Sequence, residues 1–315
     1  MKIATFNVQN LRLRPAGPGG ALDGARDGDL APDTAAGAEG EDLADRRLTA
    51  AVLHGIDADV VALQEVYDRA TLDFFHDRFL LPTGMAPYPH RICLPGNDNM
   101  GRNLALLSRI APRRIESHTR LVPSDLDLTP PPGVPADRPI FCRDCLEVEL
   151  PALWLYLCHF KAPYPDRDRA TAARNLEATA VRTLIERRFA DPAAARWLVL
   201  GDLNEPDPRA PEAALGIAPL LGGFSVDLLE RRPKGQRWSY RDPLGGNYSR
   251  PDALLASPAL AAAFPGAMPR VVREGLGEEV AAYPGPRLHG VGRHRPHASD
   301  HAALAIAFDG LGTAG

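Results

Sequence analysis

The strongest constraint on this chain is a set of eight short apolar runs, most of which stop or start on a residue able to do chemistry. They are Lys2–Asn7, Asp59–Gln64, Leu104–Ser108, Leu146–Leu150, Leu153–His159, Trp197–Gly201, Asp252–Ala256 and Ala302–Phe308. Their length and their Val, Ile and Leu content read as strands, most of them buried. Between them, Leu48, Val52 and Ile56, then Leu72, Phe75 and Phe79, then Ala173, Leu176, Ala180 and Leu184 fall at helical spacing. Asp45 and Asp168 stand where helix N-caps are expected. Strands outnumber helices and do not alternate strictly with them. That favours an α+β layered sandwich over a doubly wound parallel sheet.

The polar residues at the strand ends carry the functional information. Asn7 closes the first run, Glu65 follows VVALQ, His159 and Lys161 follow LWLYLC, and Asp202 and Asn204 follow WLVLG. Asp252 opens DALLAS, and Ser299-Asp300-His301 precedes AALAIAF. In an antiparallel pair the end of one strand lies beside the start of its neighbour, so these groups can meet at one edge. Four acids there would repel and could not all stay ionised without a counter-charge. A divalent cation supplies it. Carboxylate and amide oxygens suit Mg²⁺ or Mn²⁺, whereas zinc recruits Cys or several His. Mg²⁺ bound in this way shares its coordination with substrate phosphate oxygens, so a phosphate ester is the expected substrate. An extended Asp202-x-Asn204 places both side chains on one side, and Asp252 with His301 has the makings of a carboxylate–imidazole pair. Asp300 and His301, being adjacent, point to opposite sides, Asp300 towards metal and His301 towards phosphate.

Composition excludes several classes. Charged residues make up 24% and hydrophobic residues 45%, which rules out wholesale disorder. Lys plus Arg is 36 against 40 Asp plus Glu, so no overall basic excess advertises nucleic-acid binding. No apolar run approaches the ~18 residues of a membrane span. The N-terminus turns polar at Asn7 and lacks a signal-peptide core, so a cytoplasmic location is expected. Cys142-x-x-Cys145 sits in the strand-like FCRDCLEVEL, where residues three apart face opposite ways, so these read as ordinary thiols. Residues 15–44 hold seven Gly, three Pro, eight Ala and seven acids against one Arg, and read as a mobile acidic surface insertion. No linker splits the chain, so 1–315 is expected to form one domain. A second irregular region, about 265–297, ends in a basic loop with Arg287, Arg293 and Arg295 and His289, His294 and His297.

With these residues assembled, the sequence resembles the endonuclease/exonuclease/phosphatase superfamily. The motifs ATFNVQNL, VVALQEV, GRNLALLSR, FCRDCLEVEL, CHFKAP, LVLGDLNEPD, SRPDALLAS and ASDHAALAI run in the family's order over nearly the whole chain. The resemblance implies a four-layer sandwich of two mixed, mainly antiparallel β-sheets flanked by helices, and metal-dependent phosphoester hydrolysis. It implies Glu65, Asn7 and Asp300 at the metal, and Asp202 and Asn204 on the attacking water and transition state. His301 backed by Asp252 would act on phosphate or as acid/base, with His159 a second active-site histidine. It also implies phosphate or substrate contacts for Lys161, Arg143 and Asn103. The segment after HFK lacks the Tyr and Asn pattern expected of abasic-site endonucleases.

The leading expectation is a Mg²⁺- or Mn²⁺-dependent phosphodiesterase acting on DNA or RNA, because the basic loop would border the site. The alternatives are a phosphatase or phospholipase-type hydrolase of inositol phosphates, phospholipids or nucleotides, and a binding protein on the same scaffold. Nothing in the sequence specifies an oligomeric state.

Overall fold

The computed structural model of the chain describes residues 1–15, 22–26, 35–205 and 215–312. The first half contains strands β1 (Lys2–Leu11), β2 (Leu13–Pro15), β3 (Leu22–Arg26), β4 (Val60–Val66), β5 (His90–Cys93), β6 (Asn103–Ser108), β7 (Arg114–Ser117) and β8 (Cys145–Leu150). The second half adds β9 (Leu153–His159), β10 (Trp197–Asp202), β11 (Val226–Asp227), β12 (Tyr240–Arg241), β13 (Tyr248–Ser249), β14 (Asp252–Ala256), β15 (Arg270–Val272) and β16 (Ala303–Ala307). The helices are α1 (Ala35–Ile56), α2 (Arg69–Phe75), α3 (Arg167–Arg188) and α4 (Pro258–Ala263).

Two six-stranded sheets carry the fold, in the orders β15-β16-β1-β4-β6-β5 and β11-β14-β10-β9-β8-β7. Each contains one parallel pair, β1 with β4 and β9 with β10, among antiparallel neighbours. The expected α+β sandwich of two mixed, mainly antiparallel sheets is therefore what forms. Side-chain alternation explains the layering. Ile3, Val60, Ala62, Leu155, Leu198 and Leu254 fill the space between the sheets. Their strand neighbours Ala4, Phe6, Val61 and Leu63 pack with Leu48, Val52, Ile56, Leu72 and Phe75 of α1 and α2. On the other outer face, Tyr156, Trp197 and Val199 meet Ala178, Val181 and Ile185 of α3. Strands covered on both faces lose the polar alternation, which is why the sequence shows continuous apolar runs.

Some local expectations are corrected. Residues 16–21 and 27–34 of the acidic stretch lie outside the described residues, but α1 already starts at Ala35. Its Ala- and Glu-containing end is a good helix former, so the helix takes over what composition reads as insertion. Asp45 consequently sits inside α1 and not at its N-cap. Its carboxylate accepts from His297 N at 2.8 Å and pairs with Arg295 at 2.6 Å. Asp168 lies in the first turn of α3, and the cap is Asp166, whose backbone is extended and whose side chain accepts from Arg169 N at 3.0 Å. Cys142 precedes β8, and the contact is instead between Cys145 and Cys158 on adjacent strands, with Sγ atoms 3.8 Å apart and all four thiols free.

One glycine sets how closely β9 and β10 approach. Gly201 has φ +135°, and a Cβ there would lie 1.9 Å from the Cys158 carbonyl oxygen. Gly201→Ala is expected to cost about 3 kcal/mol or more, from backbone strain plus forced separation of the strands. Urea unfolding checks this. A midpoint shift worth less than ~0.5 kcal/mol would show that the strand pair is slack.

Candidate active site

Strand register brings the polar residues together. In β9, β10 and β14, His159 pairs with Asp202 and Asp202 with Asp252, so three functional side chains form a row across the second sheet. In the first sheet Asn7 lies opposite Gln64, with Glu65 next along β4. His301 precedes β16 and bridges to Tyr240 of β12. The two parallel pairs thus deliver their C-terminal ends to one junction, and the antiparallel neighbours begin there.

Asn7 ties the sheets together. Its amide donates to Glu65 Oε1 at 3.2 Å and to Asp202 Oδ2 at 3.0 Å, while its oxygen accepts from Gln9 N. Glu65 Oε2 accepts from Asn10 N at 2.9 Å and lies 3.8 Å from Arg102 Nε. His301 Nδ1 is 2.9 Å from Asp252 Oδ2, and His301 Nε2 is 3.9 Å from Asp202 Oδ2. His159 Nε2 is 3.5 Å from the same Asp202 oxygen. The chain is not extended after Asp202. Asn204 takes φ +52° and donates its N–H to Asp202 Oδ1 at 2.9 Å, closing a turn. Gln9, Asn10 and Glu65 also have positive φ, so left-handed non-glycine residues, costing ~1–3 kcal/mol each, crowd round this junction.

Burial sets the electrostatics. Asp202 is 2% exposed, and burial pushes its carboxyl up to about 6 against the pull of His301, with Asp252 pushing the same way as burial. Burial opposes charge on His301, but Asp252, through charge and hydrogen bond, and then Asp202 and Asp300 outweigh it and raise the imidazole well above its usual range. Burial, then Arg143 and His301, hold His159 far down, so it stays neutral.

Three residues expected at phosphate are occupied elsewhere. Arg143 binds Asp98 at 3.0 Å and the Phe160 carbonyl at 2.7 Å. The Lys161 ammonium is held by the carbonyls of Ala162 and Tyr164. Asn103 accepts from Gly96 N and donates to the Tyr67 carbonyl, which uses both ends of its amide. The Asn204 side chain likewise donates to the Phe160 carbonyl at 3.0 Å. Sequence reasoning missed Ser239 and Tyr240. Ser239 Oγ donates to Asp252 Oδ2 at 2.5 Å, and the Tyr240 ring lies 4.8 Å from that of His301. Both belong to a short WSYR segment with no apolar run to mark it.

The donor set fits a hard divalent cation. Glu65, Asp202, Asp252 and Asp300 carry four formal negative charges, against His301 and Arg102, leaving two uncompensated. Donor atoms of Asp202, Asp252 and His301 lie within 4.8 Å of one another, and the buried Asp252 Oδ1 has no hydrogen-bond partner among the described residues. Within that trio the His301 imidazolium is already the counter-ion. Glu65 and Asp300 are less buried than that trio.

The model for the Endonuclease/Exonuclease/phosphatase family matches residues 4–301. No curated protein sequence matches the chain. Solved structures share the fold at low identity. Truncated TDP2 from Caenorhabditis elegans superposes with a TM-score of 0.56 at 14% identity, over 97% of this chain and 96% of that one. An AP endonuclease from Archaeoglobus fulgidus gives 0.57 at 16%, over 98% and 99%. The 3′ phosphatase NExo from Neisseria, bound to a product DNA hairpin, gives 0.55 at 18%, over 98% and 99%.

Asp252→Asn is expected to lower the His301 pKa, because it removes the charge and hydrogen bond that outweigh desolvation. An NMR titration of the imidazole in metal-free protein measures this. An unmoved midpoint would show that Asp252 does not hold the proton on His301.

Proposed function

The chain belongs to the endonuclease/exonuclease/phosphatase family and is a metal-dependent phosphoester hydrolase; on that premise we propose that it is a Mg²⁺- or Mn²⁺-dependent phosphodiesterase acting on nucleic acid. The observation that carries this reading is a His301 imidazole, held charged by Asp252, facing the buried Asp202 beside Glu65.

Asp202 is the general base. Its pKa of about 6 lets it be ionised at neutral pH and still take a proton from water in an in-line displacement. Asn204 orients it through the backbone N–H, and Asn7 fixes its other oxygen. His301 offers its Nε2 proton to the phosphoryl or leaving oxygen as charge develops there, with Asp252 and Ser239 keeping the ring aligned. His159, neutral and buried, supports Asp202 from the neighbouring strand. Glu65 and Asp300 would hold the cation, which would supply Lewis-acid stabilisation of the phosphate oxygens. Asn7 acts as the bridge between Glu65 and Asp202 more than as a ligand, since its oxygen is turned to Gln9 N.

The basic loop supports nucleic acid less than its composition suggests. Arg295 is paired with Asp45, and Arg287 donates to backbone carbonyls. Arg241 and the exposed Arg293 make no ion pair among the described residues and are the cations available to a phosphate backbone. Two similar folds are described with DNA products, a hairpin for NExo and a single strand for TDP2 from D. rerio.

Hydrolysis of DNA, RNA, nucleotides, inositol phosphates and an aryl phosphodiester should require Mg²⁺ or Mn²⁺ and stop with chelator. Asp202→Ala and His301→Ala should each lose at least ~10²-fold in kcat. Full turnover by both folded variants would remove the mechanism, and preference for a non-nucleic phosphomonoester would redirect the substrate.

A further inference from the structure

The loop between β15 and β16 builds a second concavity beside the carboxylate cluster. It encloses about 240 Å³, and Asp300 forms part of its wall. Its lining mixes apolar residues, Pro243, Leu276 and Val280, with polar ones, Arg241, Glu279 and His297.

This loop is stitched in place. The Arg287 guanidinium donates to the carbonyls of Leu276, Gly277 and Val280 at 3.2, 3.3 and 2.9 Å. Glu278 N donates to Gly292 O, and Gly292 N to Pro296 O. Asp45 grips the Arg295 guanidinium and the His297 N–H. A wall anchored this way is formed before any ligand arrives.

His297 carries the argument. It is 7% exposed, and its Nε2 lies 2.7 Å from Gln9 Oε1, so that nitrogen donates. Its Nδ1 is then an acceptor, buried and without a partner among the described residues. An unmatched buried acceptor is a cost that a ligand N–H or O–H reaching it would offset. Arg241, also in the wall, has no ion pair among the described residues.

Charge and size choose the occupant. Glu279 and Asp300 line the same concavity as Arg241, and Arg295 is already neutralised by Asp45, so the concavity has no positive surplus for a second phosphate. Its volume is below the ~300–1,000 Å³ of drug-sized clefts, which suits one ring system with polar edges and apolar faces. We propose that this concavity seats the base of one unpaired nucleotide whose phosphate lies at the carboxylate cluster. This deepens the hydrolase reading and rests on it: a base stacked and paired in a duplex cannot enter, so the enzyme selects single strands, ends or flipped nucleotides.

The test separates the two readings by leaving metal and phosphate out. The four 2′-deoxyribonucleosides and 2-deoxyribose are titrated into the metal-free protein by NMR. At least one nucleoside should bind tenfold or more tighter than the sugar, shifting the His297 ring and the Gly277 amide. That margin should fall below threefold in Pro243→Trp, on the exposed rim, and in His297→Phe, with folding checked by circular dichroism. No nucleoside binding tighter than the sugar, or a margin that survives in both folded variants, overturns the seat. Failure to cleave any phosphoester with metal present counts against the hydrolase reading instead.

Discussion

Repulsion between carboxylates governs this molecule. Glu65, Asp202, Asp252 and Asp300 come from four distant parts of the chain and converge on one junction, which no fold would tolerate without compensation. Part of the compensation is internal: Asn7 donates to two of the acids, His301 is held charged between two, and Arg102 stands off the fourth side. What is left uncompensated is charge that a divalent cation would offset. On the reading proposed above, the same imbalance that would destabilise a metal-free site would favour a small hard ion and the phosphate that shares it.

The sandwich explains why such a cluster can be held at all. A parallel pair at the centre of each sheet points two strand ends the same way, and packing the sheets face to face sets those ends side by side. Gly201 lets β9 and β10 approach closely enough for His159 to touch Asp202. Glu177 of α3 accepts from the N–H groups of Cys142 and Lys161, fixing the two segments that flank the row from outside. The row His159, Asp202 and Asp252 is therefore fixed by strand register, while Asn204, Asp300 and His301 join it from the turns at the strand ends.

Much of this was legible because strand chemistry is local. An apolar run ending in Asp or His announces both the strand and the polar group at its end, and GDLN and SDH could be placed before any coordinates. Other features were hidden for physical reasons. A helix cap depends on where the backbone leaves the extended region, so Asp166 and not Asp168 takes the role despite equal chemistry. Lys161, Arg143 and Asn103 have the right side chains for phosphate, but backbone carbonyls, a backbone N–H and Asp98 claim them first, and such competition is invisible in a string of letters. Ser239 acts through one hydrogen bond to Asp252 from a segment with no periodicity.

The loop before Ser299 shows how composition misleads even when the residue count is right. Three arginines and three histidines with no acid read as a basic surface for a polyanion. In the fold, Arg287 replaces missing backbone donors inside its own loop, and Arg295 neutralises an aspartate that arrives from α1. A cation spent in this way adds rigidity, not field. The net effect is a wall of mixed charge beside a strongly negative cluster. On the reading proposed above, such a pair of surfaces would discriminate by shape and hydrogen bonding at the neighbouring residue, and would leave attraction of the phosphate to the cation and to His301.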